Sequence, residues 1–186
     1  MEYKEVLKSM LTEERYKHSL LVAEKARELA KKYDADIEKA YVAGLLHDIC
    51  KDLSHEKLLQ TMDEFGIILD STEKRKSKLW HAIAGAVYVK NVLKIEDSDI
   101  YNAIRYHTTA RANMSVLEKV LYLADYVSDD RTYNGVNDMR KAVKVSMEYA
   151  MLYALKFCIS DLCERERAVH VDTVNAYNEI ILGVKG

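Results

Sequence analysis

Apolar residues recur at helical spacing along nearly the whole chain. No segment shows the two-residue alternation of a half-buried strand. A short helix is predicted over Tyr3 to Leu11. Thr12 is placed to cap the next one, with Glu13 and Glu14 at its positive end. That helix runs to about Tyr33 and carries Val22, Ala26, Leu29 and Ala30 on one stripe. Asp36 caps a third helix, Ile37 to about Ile49, which is apolar nearly all round and therefore central. Ser54 caps a fourth, and Gly66 suits its end. Leu79 to Leu93 and Asp99 to His107 give two more. Ser115-Val116-Leu117-Glu118 has capping-box spacing and opens a helix through about Val127. Met139 to about Glu166 reads as one long helix. Asp172 to Leu182 reads as the last, with Gly183 just past it.

Composition sharpens this to an all-α fold, a single helical-bundle domain over 1–186. With 186 residues, no proline and 6 glycines, the chain lacks the turn punctuation that sandwiches and barrels need. The formal net charge of -2 leaves no basic field for nucleic acid, so an anionic ligand must be held by local charges. The longest apolar run, Ala40 to Leu46, is far short of the roughly 18 residues of a membrane span. The start, Met1-Glu2-Tyr3-Lys4, has no signal-peptide shape. A cytoplasmic protein without membrane partners is expected. Cys50, Cys158 and Cys163 are expected to be reduced thiols.

The chemistry lies in polar residues on inward stripes. His18 falls beside Val22 and Leu29, and Arg15 shares its face. His47-Asp48 ends the most buried helix. His81 opens a helix carrying Ile83, Ala84 and Val87. His107 extends the stripe of Ile100, Ala103 and Ile104, and Asp125 lies one turn past Leu121. One histidine on an apolar face is ordinarily a hydrogen-bonded core residue. Five of the chain's six histidines in such places, together with two buried carboxylates, form a pattern. The sixth, His55, is expected to face solvent. Imidazole and carboxylate together suit iron, manganese, cobalt or zinc. Two of each leave open positions on an octahedral ion, as a catalytic metal requires.

The order His18, His47-Asp48, Asp125 resembles the HD superfamily of metal-dependent phosphohydrolases. His81 and His107 resemble the longer pattern of members that hold two metals. Arg15-Tyr16-Lys17-His18-Ser19, the run Ala43 to Lys51, Leu79-Trp80-His81, His107-Thr108-Thr109-Ala110-Arg111, Tyr122 to Tyr126 and Arg131 with Gly135-Val136 resemble the YqeK-type bacterial family. A fainter echo runs from His170 to Asn178. The chain departs from that family in carrying Ala110-Arg111 for Gly-Arg. It also lacks the prolines that relatives place beside the positions of Arg131, Gly135 and His170.

The resemblance implies an HD domain whose metal-binding core covers about 12–130, with C-terminal helices about 138–183 packed on it. It implies symmetrical hydrolysis of diadenosine tetraphosphate to two ADP, with iron as the metal, in one ion or two. His18, His47, Asp48 and Asp125 would be its ligands, with Asp48 bridging to any second ion at His81 and His107. Catalytic work would fall to Asp48, Lys51, His81 and His107. Arg15, Lys51, His81, His107, Thr108, Thr109, Arg111, Arg131 and His170 would meet the substrate. The partners expected are the dinucleoside polyphosphate and its ADP product, without nucleic acid, with a homodimer as the candidate assembly. The competing expectations are hydrolysis of another nucleotide (a deoxynucleoside monophosphate or a guanosine alarmone) and a non-catalytic nucleotide-sensing module.

Overall fold

The computed structural model describes residues 3–184. Met1 and Glu2 of the chain start, and Lys185 and Gly186, lie outside the described residues. The fold is all-α, as the patterning predicts, and no strand occurs among the described residues. Its helices are α1 (Tyr3–Met10), α2 (Glu13–Lys32), α3 (Ile37–Leu46), α4 (His55–Glu64), α5 (Ser71–Arg75), α6 (Trp80–Asn91), α7 (Ser98–Tyr106), α8 (Val116–Val127), α9 (Val136–Val145), α10 (Met147–Glu164) and α11 (Val171–Val184). A 3-10 turn, Ser77–Leu79, leads into α6. No described helix is long and apolar enough to cross a membrane.

Helix α2 packs chiefly on α3 and α8, α6 on α7 and α4, and α10 on α9 and α11. One hydrophobic cluster runs through all of these, from Leu7 to Ala176. The α2–α3 contact is unusually close. A Cβ on Gly44 would lie 2.7 Å from the Ala23 Cα, so only glycine permits this approach. Gly44 lies three residues before His47, so the contact sets how near α2 and its His18 come to that histidine.

Four sequence expectations need correction. The long helix over Met139 to Glu166 is two helices. Ser146 adopts an extended conformation between them, and its Oγ accepts from the Tyr149 N–H as an N-cap. The last carbonyls of α9 are taken up by α2: Lys32 Nζ donates to Val143 O and Lys144 O, and Tyr33 Oη to Val143 O. Secondly, α3 stops at Leu46 rather than Ile49, and His47 serves as its C-cap. Thirdly, Gly183 lies inside α11 rather than past its end. Finally, Ser115 caps α8 by accepting from the Glu118 N–H, but the Glu118 carboxylate does not close the box; it binds Arg111. The full capping box is at α5, which the sequence reading passed over. There Asp70 accepts from Glu73 N–H, and Glu73 accepts from Asp70 N–H. The three cysteines are free, as expected, with Cys50 buried.

Candidate metal centre

Two of the expected ligands come from the same local device. A helix leaves its last carbonyls without partners. At the end of α3, His47 Nδ1 donates back to Gly44 O at 2.7 Å. At the end of α7, His107 Nδ1 donates back to Ile104 O at 2.7 Å. A carbonyl only accepts, so Nδ1 carries the proton in each ring and Nε2 is left with its lone pair facing inward. His18, on the buried face of α2, reaches the same arrangement through a side chain: its Nδ1 lies 2.7 Å from Asp130 Oδ2. Such outer partners fix ring orientation and raise ligand basicity.

These imidazoles converge on two carboxylates. His18 Nε2 is 3.1 Å from Asp125 Oδ1, and His47 Nε2 is 3.9 Å from the same atom. His47 Nε2 is 3.6 Å from Asp48 Oδ2, while Asp48 Oδ1 faces His81 Nε2 at 3.1 Å and His107 Nε2 at 3.6 Å. Asp48 thus presents one oxygen to each half of the cluster. The rings of His18, His47, His107 and His81 meet edge to face in an unbroken series, with centroids 5.0–5.3 Å apart.

Cations ring this cage. Arg15 Nη1 lies 3.6 Å from Asp48 Oδ2, and Lys51 Nζ lies 3.6 Å from Asp48 Oδ1 and 3.0 Å from His81 Nε2. The Arg131 guanidinium pairs with Asp125 Oδ1, donates from Nε to Asp125 O at 2.8 Å, and sits 3.3 Å from His18 Nε2. Asp52 ties the turn after His47-Asp48 to the start of α2 by accepting from both the N–H and Oγ1 of Thr12, which places Arg15 and Lys51 together. Arg140 donates to Val127 O, Ser128 O and Arg131 O, and so fastens the loop that carries Asp130 and Arg131.

Protonation follows from these surroundings. Burial pushes His47 and His81 down to about 4, which leaves both neutral and able to donate a lone pair. Burial alone would also lower His18, but the carboxylates of Asp125 and Asp130 outweigh it and raise this ring above its ordinary value. Burial acts to raise Asp48, yet His47, His107, His81 and Lys51 hold its carboxyl well below the usual range. Asp125 is held low in the same way by His18, His47 and Arg131.

The donor set fits a divalent metal on an observation internal to the fold. His47 Nε2 and Asp48 Oδ1 are both buried and neither has a hydrogen-bond partner. Leaving such atoms unmatched is costly unless something binds them. Atoms of His18, His47 and Asp125, and again of His47, Asp48 and His107, lie close enough to share an ion.

Residues 15–130 match the HD domain family model. The chain belongs to the HD domain family. The matched stretch opens at Arg15 and closes at Asp130, so it contains every residue of the cage. This HD protein is 37% identical to the symmetrical bis(5'-nucleosyl)-tetraphosphatase of Halalkalibacterium halodurans, over 97% of the chain and 96% of the relative. It is 36% identical to the Bacillus subtilis protein of the same name, over 95% of each. Among solved structures it is similar to a predicted HD superfamily hydrolase involved in NAD metabolism from Clostridium acetobutylicum. That likeness has a TM-score of 0.94 and 39% identity, covering 97% of this chain and 96% of that one.

The structure thus brings together Arg15, His18, His47, Asp48, Lys51, His81, His107, Asp125 and Arg131. The remaining expected contacts lie off the cage itself, Arg111 in an ion pair and Thr109 and His170 on the wall of a neighbouring chamber that Thr108 also lines. The Arg111 guanidinium is gripped by the buried Glu118 through two hydrogen bonds, of 2.8 and 2.6 Å. Thr109 is buried; its hydroxyl donates to Ala110 O, while its own carbonyl accepts from Thr173 Oγ1. His170 Nε2 lies 3.1 Å from Asp70 Oδ2, and its Nδ1 accepts from the Asp172 N–H at 3.1 Å. Thr108 alone of that group faces a cavity shared with His107, Asp125 and Arg131. Ala110, at the glycine position of the family pattern the sequence resembles, has φ +56°, a left-handed conformation that suits glycine. His55 is exposed, as expected. Asp130 went unrecognised in the sequence reading. Its signal was a carboxylate beside Arg131, five residues past Asp125, in a loop expected to meet phosphate.

Proposed function

We propose that this chain is a metal-dependent phosphohydrolase that cleaves diadenosine tetraphosphate, and dinucleoside polyphosphates like it, symmetrically to two ADP. The observation that carries the reading is identity of 36–37%, over nearly the full length of both chains, to symmetrical bis(5'-nucleosyl)-tetraphosphatases. The cage supports it with a complete donor set. His18, His47, Asp48 and Asp125 hold the ion, and iron is the metal proposed, since imidazole and carboxylate suit it. Asp48, with one oxygen toward His47 and the other toward His81 and His107, supports a bridge to a second ion. When bound, the metal supplies a nucleophile from water and neutralises phosphate charge.

The chain's own groups do the rest. Arg15, Lys51 and Arg131 stand around the cage, where they clamp the polyphosphate and offset the charge that builds as phosphorus is attacked. Lys51 and His81, 3.0 Å apart, meet phosphate oxygens on one side. Thr108 and Arg131 meet them on the other, where a cavity of about 280 Å³ opens against His107 and Asp125. ADP is a good leaving group, so orientation and charge outweigh acid assistance. The core around the cage and the C-terminal helices act as one domain. The reading also includes action in the cytoplasm without membrane partners, and a homodimer as the assembly.

Anaerobically purified protein incubated with a nucleotide panel tests the reading, with products resolved by chromatography and metal measured in parallel. Two ADP per diadenosine tetraphosphate is the expected result. ATP plus AMP, or turnover of a mononucleotide in its place, overturns it. Light scattering tests the dimer.

A further inference from the structure

The segment that follows α8 carries two groups on which the cage depends. Asp130 sets the ring of His18 from its Nδ1 side, at 2.7 Å. Arg131 pairs with Asp125 and stands 3.3 Å from His18 Nε2. Neither lies in a helix, so what fixes them is the backbone they hang from. A helix end leaves carbonyls without partners. Here they include Val127 O and Ser128 O, and one guanidinium collects both. Arg140 Nε donates to Val127 O at 3.3 Å, and its Nη2 donates to Ser128 O at 2.9 Å and to Arg131 O at 3.1 Å. Ser128 O also accepts from the Arg131 N–H at 3.0 Å, which closes a tight turn with Asp129 and Asp130 at its centre. Among the described residues no carboxylate pairs with Arg140; its other contact is Asn137 Oδ1, at 3.4 Å, on its own helix. A cation held by carbonyls suits the negative end of α8. A planar fork reaches three carbonyls at once, where an ammonium is a single point. The helix that bears Arg140 is itself anchored. Met139 and Ala142 of α9 are buried, and its last carbonyls accept from Lys32 and Tyr33, at the far end of the helix that carries His18. Helix α9 is therefore a strut, fastened to α2 at one end and to the turn that meets His18 at the other.

We propose that Arg140 is a positioning residue for the reaction: from α9 it holds the backbone of residues 127–131 so that Asp130 meets the metal ligand His18, and Arg131 meets phosphate, in one shared setting. The proposal rests on the phosphohydrolase reading above. Arg140 touches neither ion nor substrate. Its effect passes through Asp130 to the metal and through Arg131 to the phosphate, so one substitution on α9 weakens two different ligands. A displacement of about an ångström is costly in a site of this kind.

Double-mutant cycles on the full-length protein test this, and both readouts are binding constants. Iron(II) affinity is measured anaerobically by competition with a chelator, and ADP affinity by calorimetry at saturating iron(II). Arg140→Ala is expected to weaken iron(II) binding about tenfold in the parent, yet to add almost nothing in an Asp130→Ala background. It should likewise weaken ADP binding about tenfold in the parent and add almost nothing in an Arg131→Ala background. A merely structural role gives losses that add in both backgrounds. Arg140→Lys should keep only part of either affinity, and it takes the place of Arg140→Ala in both cycles if the alanine variant does not fold. Unchanged affinities in the Arg140 variants overturn the proposal, as do additive losses in either cycle. A loaded parent that binds no ADP overturns it too, since Arg131 then holds no phosphate. The two readings fail separately. If diadenosine tetraphosphate is cleaved while Arg140→Ala binds iron(II) and ADP like the parent, the positioning role falls and the activity stands. If both cycles couple but no diadenosine tetraphosphate is cleaved, the activity falls and the positioning role stands.

Discussion

The molecule contains two close groupings of histidine and carboxylate, and they are built to opposite ends. In the cage of His18, His47, Asp48 and Asp125, the outer nitrogen of each ring is committed to the scaffold and the inner one faces the other donors of the cage. His47 Nε2 and Asp48 Oδ1 have no hydrogen-bond partner, only the charged and aromatic groups that face them. In the grouping of Asp70, Glu73 and His170, ligand atoms are equally close together. There the carboxylates already have work. Asp70 caps α5, Glu73 closes the capping box and pairs with Arg105, and its carbonyl accepts from Trp80 Nε1. His170 adds α11 to the same clasp, although its Nε2, 3.1 Å from Asp70 Oδ2, is itself without a hydrogen-bond partner. Proximity of donors is therefore not what separates a metal centre from a structural clasp. The difference lies in what the carboxylates have already spent their lone pairs on.

The largest effect should come from breaking the cage at its shared atom. Asp48→Ala removes the carboxylate that faces both halves and should lower turnover of diadenosine tetraphosphate by about a thousandfold or more, with loss of metal. Full activity with metal retained, by elemental analysis, would sink the scheme. Acid should come next. An unfolded imidazole binds a proton below about pH 6.5, whereas buried His47 and His81 do so only near pH 4. Between those values the unfolded state holds more protons, so stability falls as pH falls. At pH 5 each ring costs on the order of 2 kcal/mol, opposed in part by His18, whose value is raised. Calorimetric melting of metal-free protein at pH 7 and pH 5 measures this, and a higher melting temperature at pH 5 would contradict it.

A smaller loss is expected from Asp130→Ala. The His18 ring loses its orienting partner, and metal affinity should drop about 10- to 100-fold with the fold intact. Competition with a chelator reads this directly, and an unchanged affinity removes Asp130 from the site. The smallest effect is reserved for the clasp. His170→Ala should lower stability by about 1 kcal/mol while leaving metal content untouched. Loss of metal from that variant would erase the distinction between the two groupings.

Most of the cage is legible in the sequence because its chemistry rides on helical periodicity. His18, His107 and Asp125 extend apolar stripes, and that alone turns them inward. The loop residues were harder. Asp130 and Arg111 are both charged residues outside helices, with no period to orient them. One serves His18 and the other is held by Glu118, and only tertiary packing decides which. The break at Ser146 was hidden for a related reason. Apolar positions continue in step across it, and no glycine or proline marks it. Its cause lies over a hundred residues away, in Lys32 and Tyr33, which accept the task of satisfying the carbonyls of α9.

The histidines that finish α3 and α7 carry one further consequence. Each holds its own last helical turn together through the same ring whose other nitrogen faces the cage. Metal occupancy and helix fraying are thereby linked quantities: whatever holds Nε2 must also slow the opening of the final turns. Amide hydrogen exchange at the ends of these two helices should thus titrate with metal concentration. The protein then carries its own gauge of occupancy, readable without any substrate.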